Sequence, residues 1–218
     1  MKLESDGILI AMRPINERDS LAYIFTRDYG VLIGMLRGAV VARKNRPVIG
    51  QVGHVTWNAR VDSQLGVFHW DIERNLIAPL MGNLGALGRI DSMFALIHTL
   101  LPERESYPML YDATIDAIGH ITTGDMVAAY IDWEMCMLRE MGYALDLTHC
   151  SGCGRHDNLN YISSRTGRAV CDSCAAPYMR FVYRMPIDLE ITGRFLEMVC
   201  TQQGATIPPA RVILSHQN

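Results

Sequence analysis

The sequence predicts an α+β protein of more than one domain. Three observations lead to this fold class. Short runs of β-branched and aromatic residues fill the first part of the chain, apolar residues at helical spacing follow from about residue 80, and two Cys-x2-Cys pairs lie beyond them. A chain of 218 residues can form two or three small domains with adequate cores. We therefore divide it into residues 1–78 and 79–218, with the cysteine module at 148–184.

The first domain is predicted to be a small β-barrel or sandwich, because several short strands alternate with glycine-rich turns. The segment Asp28-Tyr29-Gly30 is typical of a tight hairpin between two of these strands. The predicted strands cover residues 7–12, 21–26, 31–36 and 55–59, and residues 67–72 supply a fifth.

The second domain is predicted to be helical. Apolar residues repeat at helical spacing over 84–101, where Pro102 ends the pattern, and a second helix begins near Pro108. A third begins after the N-cap residue Asp125 and ends at Gly142. A further helix covers about 189–200, and residues 208–218 form a short helix or strand.

Glu134 lies in the middle of the predicted core face of the third helix, which is unusual for a carboxylate. Buried charges are normally paired, so we expect an arginine or a backbone group as its partner. The other residues predicted on this face are Val127, Tyr130, Ile131, Leu138 and Met141.

The cysteine pairs predict a metal site with Cys150, Cys153, Cys171 and Cys174 as its ligands. Seventeen residues separate the pairs, and this spacing is typical of four-cysteine zinc sites. The intervening sequence predicts a β-hairpin between two metal-binding turns. Four thiolates complete a tetrahedron around Zn²⁺ and leave no open position, so we interpret the site as structural rather than catalytic.

Other interpretations of the cysteines are four unligated thiols or a redox Cys-x-x-Cys pair. A redox pair would need a low-pKa thiol at a helix N-terminus after a strand, which this pattern does not predict. His149 and His156 lie close enough in sequence to replace one cysteine ligand. Cys136 and Cys200 fall within helical patterns and are better interpreted as core residues.

Basic residues concentrate in the first part of the chain, although the net charge is only −3. Between residues 29 and 61 there is no acidic residue, and Arg37, Arg43, Lys44 and Arg46 lie there in a Gly- and Pro-containing segment. Such a loop on a small barrel is suited to contact nucleic-acid phosphates, and Arg13 could extend the same face. The alternative is a solvated surface loop. The aromatic residues of the strands, such as Phe25 and Trp57, are more often core than base-stacking residues.

Composition favours a globular protein of the cytoplasm. Hydrophobic residues make up 49% and charged residues 20% of the chain, and the first residues lack the basic-then-apolar order of a signal peptide. Six cysteines in this compartment favour metal ligands or free thiols over disulfides. No phosphate-binding glycine loop, nucleophile elbow or His-Glu-x-x-His motif is present, so no enzyme class is indicated.

The order of these parts resembles the RecO family of bacterial recombination mediators. The most specific motif runs from the third helix into the first cysteine pair, as Glu134-x-x-x-Leu138-x-x-x-Gly142-Tyr143-x-x-Asp146-Leu147-x-x-Cys150-x-x-Cys153-Gly154. Looser matches are Asp6-Gly7-Ile8-Leu9, Phe25-Thr26-Arg27-Asp28-Tyr29-Gly30 and Gly34-x-x-Arg37-Gly38-Ala39.

The resemblance implies an N-terminal OB-fold, a helical domain with an embedded zinc module, and no catalytic turnover. It also implies binding of single- and double-stranded DNA and annealing of complementary strands. The implied partners are RecR, single-stranded-DNA-binding protein and, indirectly, RecA filaments. The acidic C-terminal tail of single-stranded-DNA-binding protein would dock on the helical domain. We assign its cation to Arg139, with Arg89 and Arg104 as alternatives. Arg139 could instead pair with Glu140 or Glu134.

Two other classes of function remain open on the residues alone. One is a zinc-ribbon adaptor that acts only through protein contacts, and the other is a metalloenzyme. Removing the charges of the basic loop without loss of function would favour the adaptor. An exchangeable zinc ligand would favour the enzyme.

Overall fold

The computed structural model describes residues 1–42, 46–61, 65–143 and 145–215. Its N-terminal part is a closed five-stranded barrel with the strand order β1-β2-β3-β5-β4. The β3–β5 pair is parallel, and the other neighbours are antiparallel. This connectivity is that of an OB-fold, so the barrel is confirmed over the sandwich. The strands are β1 (Lys2–Pro14), β2 (Ser20–Thr26), β3 (Gly30–Leu36), β4 (Gln51–Asn58) and β5 (Gly66–Asn75).

Strand β1 is buried on both faces, unlike a strand with one face in water. Leu9 belongs to the barrel interior with Trp57, whose indole N–H donates to the carbonyl of Ile33 at 2.9 Å. Its neighbours Ile8 and Ile10 point the other way and belong to the core of the helical part. Successive side chains of a strand alternate between faces, so one strand serves two cores.

The predicted hairpin at residues 28–30 is confirmed, since β2 and β3 pair from Ser20 and Leu36 to Thr26 and Gly30. Gly30 has φ +62°, and a Cβ there would lie 1.8 Å from the carbonyl oxygen of Glu105. The chain after the first helix therefore passes directly against the barrel at this turn, where any side chain would collide with backbone.

The predicted helices are present as α1 (Leu84–Leu100), α2 (Pro108–Thr123), α3 (Met126–Glu140) and α5 (Leu189–Gln202), and the chain from 209 is helical as α6 (Pro209–Ser215). The Asp125 carboxylate caps α3 by accepting from two backbone N–H groups. Gly142 adopts φ +84° after its end. Tyr130, Glu134 and Leu138 of the predicted core face are buried, whereas Val127, in the first turn of α3, is 38% exposed.

The expected partner of Glu134 is an arginine from the end of the described chain, Arg211 in α6. Both side chains are fully buried, and the guanidinium also donates to the carbonyl of Leu189 at 2.6 Å. Thr192 donates its hydroxyl to the same carboxylate. The pair thereby ties α3, α5 and α6 together.

The cysteine module is a small three-stranded sheet beside this helical core. It consists of β6 (Tyr161–Ser163), β7 (Ala169–Val170) and β8 (Val182–Arg184) in the order β7-β6-β8, with the short helix α4 (Asp172–Ala175). The antiparallel β6–β7 pair confirms the predicted hairpin. Ile162 of β6 is buried in the helical core, which anchors the module. Within the described ranges, no helix is long and apolar enough to cross a membrane.

Candidate metal centre and basic barrel end

The fold brings the four predicted ligands together. The sulfur atoms of Cys150, Cys153, Cys171 and Cys174 all lie within 4.8 Å of one another. The Cys153 and Cys171 sulfurs are 3.7 Å apart. A tetrahedron with metal–sulfur bonds of ~2.3 Å has sulfur–sulfur edges of about 3.8 Å. The side chains therefore fit one tetrahedral metal ion, and four soft thiolates suit zinc among other thiophilic metals.

Local backbone turns aim the sulfurs at a common point. The first turn closes where the N–H of Gly154 donates to the carbonyl of Cys150 at 2.8 Å, with φ +78° at Gly154. Cys171 precedes the first residue of α4. A Cβ at Gly152 would lie 3.0 Å from the Cys174 sulfur, so the two turns approach closely.

The electrostatics of the cluster favour thiolate at two of the four positions. Backbone N–H groups of Cys171 and Gly152 donate to the Cys150 sulfur at 3.4 Å and lower the pKa of Cys150 to about 6. The Ser173 hydroxyl and the Cys174 N–H lower the pKa of Cys171. The pKa of Cys174 is raised to about 12 by hydrogen bonding to the thiol groups of Cys171 and Cys153. Four thiolates this close repel one another, so full deprotonation requires a cation.

The alternative ligands fit less well. His156 places its Nδ1 2.8 Å from the carbonyl of Thr148, and the His149 Nδ1 lies 2.9 Å from the Thr148 hydroxyl. Neither histidine belongs to the metal-capable cluster found in the described part of the chain. Cys136 and Cys200 are buried in α3 and α5, as core residues should be.

Arg155 also interacts with the cysteine cluster, and the sequence interpretation missed this residue. A hydrogen bond with Cys153, followed by the charge of that sulfur, raises the pKa of the Arg155 guanidinium. A cation placed here offsets the negative charge of a four-thiolate site. Its position two residues after the second cysteine was the available signal.

Two predicted phosphate contacts lie at one end of the barrel. Pairing aligns Arg13 of β1 with Leu21 of β2 and Leu21 with Met35 of β3, so Arg13 and Arg37, which directly follows β3, lie at the same end of the barrel on either side of β2. Both arginines are exposed. The carboxylate of Asp19 accepts from the Gly38 N–H at 2.8 Å, so this end also carries an acid.

Arg46 is exposed and directly precedes Pro47, which lines a cavity of about 770 Å³ between the β3–β4 connection and strand β5. Arg37 and Pro47 line one side of it, and Asp71 and Glu73 line the other. The predicted contacts Arg43 and Lys44 lie outside the described residues.

Five aromatic residues of the barrel could stack on bases or belong to the core, and the structure places three of them in the core. Phe25, Trp57 and Phe68 are buried. Tyr23 and Tyr29 are half-buried.

Arg139 is half-exposed on α3, where its Nε lies 3.6 Å from a carboxylate oxygen of Glu140. One of its terminal nitrogens also donates to the Cys136 sulfur at 3.3 Å. Ion pairing with Glu140, the alternative to partner binding, is therefore present. Of the other two cations considered, Arg89 is buried, and Arg104 lies 4.5 Å over the ring of Trp57.

The fold and the cysteine cluster define the class of this protein. It is an OB-fold protein whose barrel is joined to a helical domain with a four-cysteine module that can bind a metal ion. The comparisons with known families agree. Residues 1–70 match the model described as "Recombination protein O N terminal", and residues 81–182 match "Recombination protein O C terminal". The chain belongs to the RecO family.

Curated relatives resemble the chain along most of their length. The protein named "DNA repair protein RecO" of Jannaschia sp. is 35% identical over 90% of this chain and 86% of its own. Its namesake in Dinoroseobacter shibae is 35% identical over 94% and 91%. That of Rhodospirillum centenum is 33% identical over 97% and 92%.

Proposed function

We propose that this protein is a DNA-binding recombination mediator that works in DNA repair without catalytic turnover, in the cytoplasm. It binds single- and double-stranded DNA, anneals complementary strands and, with RecR, helps to load RecA. Family membership supports this role. The structural observation that carries it is the exposed pair Arg13 and Arg37 at one end of an OB-fold, next to the basic β3–β4 connection.

The metal centre has a structural role in this proposal, and its ion is zinc. Cys150 and Cys171 are almost fully buried, and four sulfurs within tetrahedral reach leave no position for a substrate. The ion would hold the two cysteine-bearing turns together, since the fully buried core of the module is small: among the described residues it consists of Val170 and Ala175 with Cys150 and Cys171.

The basic connection is tested by the salt dependence of single-strand binding. Replacing Arg43 and Lys44 with Glu should weaken binding to all sequences alike. It should also flatten the plot of log affinity against log salt by roughly 0.7 for each phosphate of the single strand that the variant no longer neutralises. A matched control is Arg194→Glu, which alters an exposed arginine on α5 that pairs with Glu190 and Glu197.

The two outcomes point to different functions. A reduced slope in the double variant, with a normal slope in the control, supports phosphate contact by this connection. A wild-type protein that binds no DNA but still acts in repair would favour the adaptor, which works through protein contacts alone.

We further propose that the helical domain receives the acidic C-terminal tail of single-stranded-DNA-binding protein, with Arg139 at the rim of the site. The side chain of Arg139 is 53% exposed, so its guanidinium is accessible to a partner. The 3.6 Å contact with Glu140 is an exposed pair, and such pairs are weak enough to exchange for another carboxylate.

A further inference from the structure

A second basic and aromatic surface lies on the cysteine module, far along the chain from the barrel. It surrounds a cavity of about 760 Å³ formed by the β6–β7 turn, the first cysteine-bearing turn and the segment 176–181. Among the lining residues are Arg165, Arg168, Tyr178 and Phe181. These four side chains belong neither to the barrel nor to the cluster of four cysteines.

Large apolar side chains are exposed at this surface. Tyr178 is 60% exposed and Phe181 51% exposed, on a short 3₁₀ segment whose backbone departs from helical angles at Tyr178. The N–H and hydroxyl of Ser164 both donate to the carbonyl of Phe181, at 3.0 and 2.9 Å. The rings are therefore presented to solvent from a backbone that is fixed to the neighbouring hairpin.

The charge at this surface is positive. Arg165 and Arg168 line the cavity, and none of the described residues that line it carries a carboxylate. Arg180 is exposed, and its guanidinium lies 5.8 Å from the centre of the Phe181 ring. Asp172, an acid of the adjoining helix, accepts hydrogen bonds from the side-chain amide of Asn160.

We propose that this surface is a second binding site for single-stranded nucleic acid. This proposal rests on the DNA-binding function proposed above. Bases stack on Tyr178 and Phe181, while Arg165 and Arg168 contact the backbone phosphates. Exposed rings beside cations, without carboxylates in the cavity, are the combination that single strands require. Stacking needs no particular base, so the site binds strands regardless of sequence.

The metal centre forms the floor of this surface. Gly152 and Cys174 line the same cavity as the aromatic residues, and Cys174 is one of the four clustered cysteines that can hold a metal ion. The segment carrying Tyr178 directly follows α4, which begins after Cys171. The two cysteine-bearing turns therefore set the spacing between the rings and the arginines.

The test uses the full-length, metal-loaded protein and a fluorescent oligothymidine of about 30 nucleotides, long enough to reach beyond a single OB-fold. Tyr178→Ala with Phe181→Ala should weaken binding at least tenfold, since each stacked base contributes to affinity. The matched control is Met179→Ala, which removes a 53% exposed side chain from the same segment. Arg165→Ala with Arg168→Ala should lower the salt slope.

Photocrosslinking of a bromodeoxyuridine-substituted strand locates the contact. Crosslinks within residues 176–181, together with the loss of affinity at unchanged metal content, support the site. Wild-type binding that both double variants leave unaltered, with crosslinks confined to the barrel, overturns the second site and leaves the proposed function standing. Failure of the wild-type protein to bind any strand overturns both. Binding of an acidic peptide, but no strand, at Tyr178 would assign the surface to a protein partner instead.

Discussion

The guanidinium of Arg27 and the carboxylate of Asp112 form a two-point ion pair between the barrel and α2. The Nε donates to one carboxylate oxygen at 2.9 Å, and a terminal nitrogen donates to the other at 2.8 Å. Both side chains are about half-exposed. This geometry is the fork-to-fork arrangement that makes arginine pairs directional.

This pair should give the protein an acid-sensitive contribution to stability. The hydrogen bond from Arg27 lowers the pKa of the Asp112 carboxyl. A carboxyl with a lowered folded-state pKa stabilises the fold above its unfolded value of about 3.9, and this contribution is lost as pH falls through the folded pKa. Asp112→Asn should therefore reduce stability at neutral pH and flatten its decline in acid, as followed by urea unfolding at several pH values.

The control is Asp116→Asn, one turn further along α2 and also exposed. It leaves the Arg27–Asp112 pair intact, so the difference between the two variants measures the ion pair. If the unfolding free energy of wild type and of Asp112→Asn depends on pH in the same way and has the same value, the ion pair contributes nothing to the stability of the fold.

Removing one partner of the buried pair Glu134–Arg211 should be much more damaging. Both side chains are fully buried, so Arg211→Met leaves a carboxylate without its counter-ion. Decreases of about 3–5 kcal/mol in unfolding free energy are typical of such changes. Arg194→Met, which breaks only exposed ion pairs, should cost at most about 1 kcal/mol.

The double variant Glu134→Leu with Arg211→Met separates charge from packing. It should recover part of the stability, because no uncompensated charge stays buried. If Arg211→Met alone unfolds at the same urea concentration as wild type, the pair does not hold α6 in place.

Cys171→Ser should release the metal and loosen the cysteine module. One ion per chain is expected in the wild type, and the variant lacks one of four ligands at a fully buried position. Elemental analysis measures the metal, and hydrogen exchange should show faster exchange in 148–184 than in the barrel. Cys136→Ser should retain the ion, since Cys136 lies in α3 outside the cluster. Wild-type protein purified without chelator and containing no zinc would refute the assignment.

Arg139→Ala should weaken binding of a peptide with the acidic, apolar-ended tail sequence of single-stranded-DNA-binding protein. The expected decrease reflects one charge-assisted hydrogen bond, about 1.5–3 kcal/mol, and is read by fluorescence anisotropy with the full-length protein. Arg194→Ala serves as the control for general charge. Unchanged affinity in Arg139→Ala would move the site away from this residue while leaving the helical domain under consideration.

Patterns local in sequence predicted most of the elements. Runs of β-branched and aromatic residues between glycine-containing turns located the five strands, helical spacing located α1 to α3, and the caps at Asp125 and Gly142 set the limits of α3. The cysteine spacing gave all four members of the cluster, because each pair lies within one turn and only the approach of two turns is nonlocal.

Features that depend on distant pairing could not be located in this way. The sequence indicated that Glu134 needs a partner, but its arginine is 77 residues away. The parallel β3–β5 pair that closes the barrel is likewise set by packing of the whole sheet. The exposure of side chains near a helix end was also not predicted: Val127 fits the apolar period but, in the first turn of α3, is 38% exposed.

Gly30 packs against the backbone of Glu105, and Ile8 and Ile10 of β1 lie inside the helical core. These contacts restrict the exchange of domains between relatives. A chimera that takes only the barrel from another member would have to match a backbone contact and a hydrophobic interface at once. Successful grafts should therefore carry residues 102–107 together with the barrel, and substitutions at the two surfaces should be inherited jointly. The barrel in this chain is therefore packed into the helical core and is not merely tethered to it.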